Sequence, residues 1–256
     1  MAEHIYPSAI ANEVVGVRDR SIVVTGGTTG IGRTTALHLA AHGARIVICG
    51  RHQKELDEAM RDIRAAGGAD VHGTLADMAV IDDVRRLFDV AENAIGGIDV
   101  LVANAALGAE GIMEMEYDEW EHVVRTNLIG VMACVQEGAK RMEPRASGHI
   151  IVIGSMSAET RNGGSSVYVA TKSGVQGFCT AARKELNGKG IKMTLIEPGA
   201  VGTDMQDASP EEQRRKQEQQ EMLKAEEIAA CVHYCLAQPE RCDVVEVQIR
   251  PHLQKI

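Results

Sequence analysis

The stretch Thr25-Gly26-Gly27-Thr28-Thr29-Gly30-Ile31-Gly32 decides the fold. It ends the apolar run 21–25 and opens a segment of helical period at 30–42. Glycine permits a sharp turn and a close approach of the backbone to a ligand. The N-terminus of a helix adds free N–H groups and the positive end of its dipole. A strand, a glycine-rich turn and a helix in this order predict a site for a pyrophosphate group.

Apolar runs and segments of helical period alternate along the rest of the chain. Several runs have the continuous apolar character of strands that are covered on both faces. We predict strands at 21–25, 44–49, 69–73, 99–102, 149–153, 191–196 and 244–249. We predict helices at 30–42, 53–66, 79–94, 117–142, 167–187 and 225–237. The alternation predicts an α/β fold, a Rossmann-type doubly wound sheet of seven parallel strands with helices on both faces.

Length and composition indicate a globular chain with one domain spanning 1–256. Hydrophobic residues make up 45% and charged residues 25% of the 256 residues, which excludes a mainly disordered chain, a collagen and a coiled coil. The formal net charge of −9 argues against nucleic acid as a partner, because binding phosphate backbones needs a basic surface. No apolar run reaches the ~18 residues of a membrane-spanning helix, so we expect no membrane partner. The N-terminus has no export signal, and we expect a cytoplasmic protein with reduced thiols.

Two segments break the regular alternation. Residues 1–17 show no clear period, and we predict a loose N-terminal arm there. Residues 204–224 begin as a loop and continue as a very polar run. A polar run is often a solvated helix, but a long insertion in a compact domain is also often a lid. We predict that 204–224 covers the substrate.

Tyr168 and Lys172 suggest chemistry at the predicted site. Their spacing of four places them on one face of the helix 167–187. A nearby ammonium stabilises a phenolate, so this tyrosine could give or take a proton while hydride moves to or from a nicotinamide. Ser155 follows the strand 149–153 at the carboxyl edge of the sheet, where its hydroxyl could hold a substrate oxygen. A Tyr-x-x-x-Lys spacing alone would more often be a solvated helix face.

Further motifs make the chain resemble the short-chain dehydrogenase/reductase family along nearly its whole length. The glycine spacing at 25–32, with its Thr-Gly-x-x-x-Gly-x-Gly pattern, is the family's. Asn104-Ala105-Ala106 resembles its Asn-Ala-Gly turn, with Ala106 in place of glycine. Asn127 matches its helix asparagine, and Ser155 precedes Tyr168 by 13 residues as in the family. The segment 198–203 matches its Pro-Gly segment after the sixth strand.

The resemblance implies a set of site residues. It implies catalysis by Asn127, Ser155, Tyr168 and Lys172, with Tyr168 as the general acid/base and Asn127 supporting a water that relays protons through Lys172. It implies that substrate contacts Ser155 and Tyr168. It implies that the dinucleotide contacts Gly26, Thr28, Thr29, Gly30, Ile31, Gly32, Arg51, Asp77, Met78, Asn104, Ala105, Ala106, Tyr168, Lys172, Pro198, Gly199, Val201 and Thr203.

The residues after the second strand favour NADP over NAD. A carboxylate there would bind the ribose 2′-hydroxyl of NAD. This chain instead has Arg51, whose guanidinium suits a 2′-phosphate, and Arg33 and His52 could assist it. The resemblance assigns Asp77 to the adenine amino group. Thr29 supplies no basic group in the glycine turn, so NAD stays possible.

We expect an oxidoreductase that transfers hydride between the nicotinamide of NADP and a small carbonyl or secondary alcohol. The end of the chain, 247–251, lacks the Val-Asp-Gly-Gly ending of many fatty-acid-type reductases and is more similar to the subgroup acting on small 3-hydroxy acids. Arg161 could bind a substrate carboxylate. The alternatives are a reductase of 3-oxoacyl thioesters, a catalytically silent dinucleotide-binding scaffold and a methyltransferase, although a methyltransferase has no use for the Tyr-Lys pair.

The family resemblance also implies a homotetramer, built on the helices 117–142 and 167–187 and on the last strand. An apolar stripe on the first of these helices is available for such a contact, although the sheet could equally cover it: Val123, Leu128, Val131, Met132 and Val135. Cys231 and Cys235 lie on one helix face, but no second ligand pair stands at zinc-site spacing. We therefore expect no metal.

Overall fold

Seven parallel strands form one sheet in the computed structural model, which describes residues 15–254. The sheet has the strand order β3-β2-β1-β4-β5-β6-β7. The strands are β1 Ser21–Val24, β2 Arg45–Gly50, β3 Val71–Leu75, β4 Val100–Ala103, β5 Gly148–Ile153, β6 Ile191–Pro198 and β7 Glu246–Ile249. This topology confirms the predicted fold class. Strand ends differ from the predicted ones by one or two residues, because burial alone does not mark where hydrogen bonding between strands stops.

Helices connect the strands and cover both faces of the sheet. They are α1 Gly30–Ala41, α2 Gln53–Ala65, α3 Ile81–Ile95, α4 Tyr117–Val124, α5 Val131–Met142, α6 Ser157–Thr160, α7 Ser166–Asn187, α8 Pro210–Glu218 and α9 Ala225–Leu236. A 3₁₀ turn covers Glu143–Arg145. Among residues 15–254, no helix is long and apolar enough to cross a bilayer.

The predicted single helix at 117–142 is wrong in one respect. A π-helical turn, Arg125–Gly130, separates α4 from α5. A π turn arises where one extra residue is accommodated inside a helix, and apolar periodicity over 26 positions does not reveal it. A Cβ at Gly130 would lie only 2.4 Å from the carbonyl oxygen of Met78, so the turn packs closely on the segment after β3.

Alternate residues of the strands enter two hydrophobic cores, one on each face of the sheet. In β1, Val23 faces the core formed with α3, α5 and α7, whereas Ile22 and Val24 face the core formed with α1, α2 and α9. Three residues of the proposed interface stripe, Val123, Val131 and Val135, are buried in the chain itself. Met132, which also belongs to the predicted stripe, is exposed, and Ile129, which lies close to it, is exposed as well.

The other two segments are placed as follows. Of the predicted N-terminal arm, 1–14 lies outside the described residues, and 15–17 is loop, with Val15 donating a backbone hydrogen bond to Ala237. Residues 204–224 contain α8. A parallel bridge joins Leu223, near the end of this segment, to Val201, which follows β6. The segment therefore leaves and rejoins the sheet at one place.

The strand order reverses direction between β1 and β4. From β1 the chain builds outward to β2 and β3, and from β4 it builds the other way to β5, β6 and β7. The connections on either side of this point diverge, which leaves a crevice at the carboxyl ends of the strands.

A buried histidine joins β5 to β6. His149 Nε2 lies 2.8 Å from Thr194 Oγ1, and that hydroxyl donates to the carbonyl of Val244 at 2.6 Å. The hydroxyl has one proton, so His149 donates its Nε2–H to Thr194. Burial lowers the pKa of His149 to about 3, and the charges of Lys192 and Arg20 add to this.

His149 should therefore make the protein acid-sensitive. The unfolded chain takes up a proton on His149 below about pH 6.5, whereas the folded chain does not until about pH 3. Stability from this residue is complete above pH 6.5 and falls with pH, by up to ~1.4 kcal/mol per pH unit. We expect the difference in free energy of unfolding between wild type and His149→Gln to narrow at that rate in urea titrations from pH 6.5 to 4. The exposed His252→Gln is the control, and a constant difference for His149→Gln would contradict the assignment.

Candidate active site

A cavity of about 460 Å³ occupies the crevice at the carboxyl edge of the sheet. This size is within the ordinary range for sites that bind small molecules and cofactors. Its wall combines the turn after β1, the ends of β2 and β5, and the loops that follow β3, β4 and β6. Residues more than 150 positions apart in the chain therefore share one chamber.

The glycine turn is shaped so that side chains are excluded from it. Gly26 and Gly30 have φ of +63° and +50°, in the left-handed region that favours glycine. A Cβ at Gly32 would lie 2.2 Å from the carbonyl oxygen of Gly26, which no real atom pair tolerates. The first turn of α1 can therefore pack directly on the end of β1. This leaves the N-terminus of α1 facing the cavity, as an anion site requires.

Thr25 and Asn104 tie this turn to the loop after β4. Thr25 Oγ1 accepts hydrogen bonds from the backbone N–H groups of Asn104 at 3.0 Å and Ala105 at 3.1 Å. Asn104 Nδ2 donates back to the carbonyls of Thr25 and Gly26. Four hydrogen bonds thus hold the two loops on either side of the switch point at a fixed separation.

Ser155, Tyr168 and Lys172 meet at the cavity wall. Ser155 Oγ accepts from the backbone N–H of Ser157 at 3.1 Å, so the hydroxyl proton of Ser155 is free to donate. Lys172 is buried, its Nζ donates to the carbonyl of Ile153 at 2.9 Å, and it lies 5.6 Å from the centroid of the Tyr168 ring. The β5 carbonyl thus fixes the ammonium beside the phenol, and the described residues leave two of its three donors available.

Asn127 lies in the π turn and does not line the cavity. Its Oδ1 accepts from the N–H of Leu107 at 2.7 Å, and its Nδ2 donates to the carbonyl of Leu107 at 2.8 Å. A longer contact of 3.4 Å joins Nδ2 to the Thr171 hydroxyl. The side chain of Asn127 therefore positions the loop after β4, which does line the cavity.

The far end of the cavity carries charges of both signs. The Arg51 guanidinium is exposed and lies 3.4 Å from His122 Nε2, and no carboxylate oxygen among the described residues is within ion-pair distance of it. Asp77 Oδ1 accepts from the N–H of Ala79 at 2.8 Å, and Oδ2 lies 4.0 Å from His122 Nε2, too far for a hydrogen bond, so Oδ2 can accept from a ligand. Glu55 lines the same end, and its Oε2 is buried with no partner in the described part of the chain. Arg33, which we considered as an assistant to Arg51, forms an ion pair with Asp62.

Residues 204–206 contribute to the wall of the cavity. A Cβ at Gly108 would lie 3.6 Å from Met205 Cγ, so this segment lies close to the loop after β4. Gln213 of α8 donates to the carbonyls of Thr203 and Ala208, and so holds the helix to the segment that lines the cavity.

Every residue that the family resemblance assigned to the site lines the cavity, except Gly32 and Asn127. Arg161 is not among the lining residues, and its Nε donates to the carbonyl of Ala158 at the end of α6, so the cavity described here gives no support to its binding a substrate carboxylate. The sequence reasoning missed several lining residues: Cys49, Gly50, Glu55, Ala76, Leu107, Gly108, Thr126, Ile153 and Gly154. Most are neighbours of predicted residues. Glu55 is the exception, because only the first turn of α2 brings it to the wall.

The amino-acid sequence and the fold both match known proteins. A family model described as short chain dehydrogenase matches residues 20–214. A 3-oxoacyl-[acyl-carrier-protein] reductase FabG of Staphylococcus aureus (strain Mu50) is 37% identical over 194 residues, which cover 75% of this chain and 79% of the relative. An uncharacterized oxidoreductase of Staphylococcus saprophyticus is 32% identical over 247 residues, covering 94% and 99%.

A solved structure shares the whole architecture. The short chain dehydrogenase from Burkholderia cenocepacia J2315 in complex with NADP matches with a TM-score of 0.81 at 27% identity. The match covers 93% of this chain and 98% of that chain.

Proposed function

The chain belongs to the short-chain dehydrogenase family, and we propose that it transfers hydride between the nicotinamide of NADP and a small carbonyl or secondary alcohol at the cavity described above. The observation that carries this proposal is the meeting of Ser155, Tyr168 and Lys172 at one wall of a cavity that also contains an anion-binding helix N-terminus. A methyltransferase would not need this group of side chains.

The cavity suits a dinucleotide. The absence of side chains at Gly26 and Gly30 leaves the N–H groups of the turn and of α1 open to a pyrophosphate. Asp77, whose Oδ2 accepts no hydrogen bond from the described residues, suits the amino group of an adenine. The bound cofactor would supply or accept the hydride. The two free donors of Lys172 suit the hydroxyls of the nicotinamide ribose.

The chain's own residues handle the proton. We assign the donor hydroxyl of Ser155 to the substrate oxygen, where it stabilises developing negative charge. Tyr168 exchanges the proton with that oxygen, and the Lys172 ammonium stabilises the phenolate. The side chain of Asn127 is occupied by Leu107, so we assign any support of a relay water to its main chain.

Loss of the Tyr168 hydroxyl should abolish most of the turnover. Tyr168→Phe should retain the fold and cofactor binding while kcat falls at least ~100-fold, because a positioned acid/base contributes about that much. Ser155→Ala should lose ~100-fold to ~1,000-fold, the effect of removing a donor to developing charge. The measurement is the initial rate of nicotinamide absorbance change over a panel of ketones, aldehydes and secondary alcohols.

Two matched variants serve as controls for this experiment. Ser157→Ala removes a hydroxyl two residues from Ser155, and Tyr234→Phe removes a hydroxyl from an exposed tyrosine on α9. Both should keep wild-type kcat. Near wild-type turnover in Tyr168→Phe would refute the assignment, and a wild type that binds NADPH but reduces nothing in the panel would favour the silent scaffold.

We propose NADP rather than NAD as the preferred cofactor because Arg51 has no carboxylate partner among residues 15–254 and lines the same cavity as Asp77, to which we assign the adenine. A charge-assisted contact with a 2′-phosphate contributes roughly 1.5–3 kcal/mol, equivalent to roughly 10-fold to 150-fold in affinity. We expect kcat/KM to be at least ~10-fold higher with NADPH than with NADH. Arg51→Ala should remove most of that preference, and Arg51→Asp should reverse it.

A variant of Glu55 should change the cofactor preference in the direction opposite to Arg51→Ala. Its carboxylate lines the same end and disfavours a 2′-phosphate, so Glu55→Gln should increase the preference for NADPH. Arg85→Ala, on the exposed side of α3, should leave the preference unchanged. A wild-type preference for NADH would contradict the assignment of Arg51.

A second candidate substrate class is a 3-oxoacyl thioester. The 37% identity to a reductase of that name favours it, whereas the ending at 247–251 favours small hydroxy acids. The panel should therefore include an acetoacetyl thioester beside short 3-hydroxy and 3-oxo acids. A kcat/KM for the thioester above that of every free acid would assign the chain to the second class.

We also propose a cytoplasmic homotetramer that uses the exposed face of α5 and the adjoining π turn. Ile129 and Met132 are exposed there although their neighbours are buried. Sedimentation at micromolar concentration should give four times the 27.5 kDa chain mass, and Ile129→Glu should give a smaller species because it places a charge in the contact. Ile81→Glu, on exposed α3, should sediment as wild type. A wild-type monomer would refute the tetramer.

A further inference from the structure

Three histidines converge on the side of the fold covered by α1 and α9, outside the cofactor cavity. His38 and His42 lie one helical turn apart at the end of α1, and His233 lies on α9. One ring nitrogen of each lies within 4.8 Å of one in each of the others. The ring centroids are 4.5 to 5.0 Å apart. In the described part of the chain, this is the one group of three such side chains with metal-ligand spacing.

The hydrogen bonds of the cluster assign the ring nitrogens. His42 Nδ1 lies 2.7 Å from the carbonyl oxygen of His38, which can only accept, so His42 donates from Nδ1. In the neutral ring its Nε2 therefore carries the lone pair. Donation of the other ring N–H to a backbone carbonyl is the usual way in which proteins orient a metal-binding histidine. His38 Nε2 and His233 Nδ1 face each other at 2.9 Å.

Two of the three rings favour the neutral form, which is the form that binds metal. Partial burial lowers the pKa of His38, and the neighbouring His42 and His233 lower it further. Partial burial and then His42 lower the pKa of His233 in the same direction. A second cation on any ring would repel the first, whereas one metal ion can use all three lone pairs at once.

We propose that His38, His42 and His233 form a zinc site that fastens α9 to α1. Imidazole nitrogens suit Zn²⁺, and three protein ligands with one water make a tetrahedral site. With Zn–N bonds of ~2.0–2.1 Å, nitrogen ligands lie about 3.4 Å apart. The contact of 2.9 Å between His38 and His233 must open by about half an ångström. The proton between these two nitrogens moves to the second nitrogen of the same ring, which does not bind the metal. Zinc binding therefore releases no proton.

The end of α1 favours a cation for a second reason. The carboxyl end of a helix carries the negative end of its dipole. His38 lies in the last turn of α1, and His42 is its C-cap residue. At ~1.5 Å per residue, the 12 residues of α1 separate this cluster from the glycine turn by roughly 18 Å. The zinc site and the cofactor cavity therefore occupy opposite ends of one helix.

Zinc titration of the intact protein, prepared without a polyhistidine tag, tests the proposal. Calorimetry with ZnCl₂ should give one site per chain, and Zn²⁺ should raise the melting temperature because it binds the folded chain. His42→Gln and His233→Gln should each weaken binding at least ~10-fold, since even residues that only orient a ligand contribute 10-fold to 100-fold. Both should lose the rise in melting temperature. Bound Co²⁺ should give the visible absorption of a tetrahedral site in wild type only.

Control variants test whether zinc binds at other histidine or cysteine side chains, and an activity assay tests whether the zinc site is independent of hydride transfer. His72→Gln alters a histidine that is paired with Asp70 and lies on the edge strand β3, and Cys231→Ser removes a half-buried thiol on α9. Both variants should bind Zn²⁺ as wild type does. No saturable binding, binding unchanged in both histidine variants, or binding lost in Cys231→Ser would each overturn the proposal. Hydride transfer should be unchanged in His42→Gln, so the two proposals fail independently.

Discussion

The packing of α1 directly against the end of β1 is the constraint on which the site depends. A Cβ at Gly32 would overlap the carbonyl of Gly26, and the side chain of Asn104 lies against the same position. Only a chain without side chains here can turn from strand to helix so tightly. The turn aims the N–H groups of α1 into the crevice, and the Thr25 hydroxyl then fixes the loop after β4 at hydrogen-bond distance. Opening this contact would misplace both walls of the cavity at once.

The parallel sheet converts sequence order into proximity. Because all seven strands run in one direction, each loop that leaves a carboxyl end reaches the same edge. The pairing of β5 with β6 continues past the end of β5, on both sides of Ser155. The N–H of Gly154 donates to the carbonyl of Ile196, and the N–H of Met156 donates to the carbonyl of Pro198. Ser155 is therefore held between two hydrogen bonds to the neighbouring strand. The lysine ammonium is fixed by the same strand end, through the carbonyl of Ile153.

Sequence reasoning was most successful where one residue type has one use. The glycine turn, the alternation of strands and helices, and the family resemblance were confirmed, and the positions matched to family motifs lie around one cavity apart from Gly32 and Asn127. Prediction failed, or left two alternatives open, where the outcome depends on distant packing. The π turn at 125–130 and the burial of Val131 and Val135 depend on what lies above the helix. The partners of Arg33 and Arg161 depend on which acceptor is nearer, which spacing along the chain does not show.

The histidine cluster is a site that the sequence does not reveal, because it also depends on distant packing. Two of its members, His38 and His42, have the spacing of a helix face, but the third is almost 200 positions away. On α9 the sequence suggests Cys231 and Cys235 as the candidate ligands. In the structure Cys235 is buried in the core, and His233, which lies between the two cysteines, contacts α1. A helix has two electrostatically different ends, and α1 offers each to a different charge. Its amino end faces the crevice where an anion would bind, and its carboxyl end carries imidazoles suited to a cation, so one element can serve both sites.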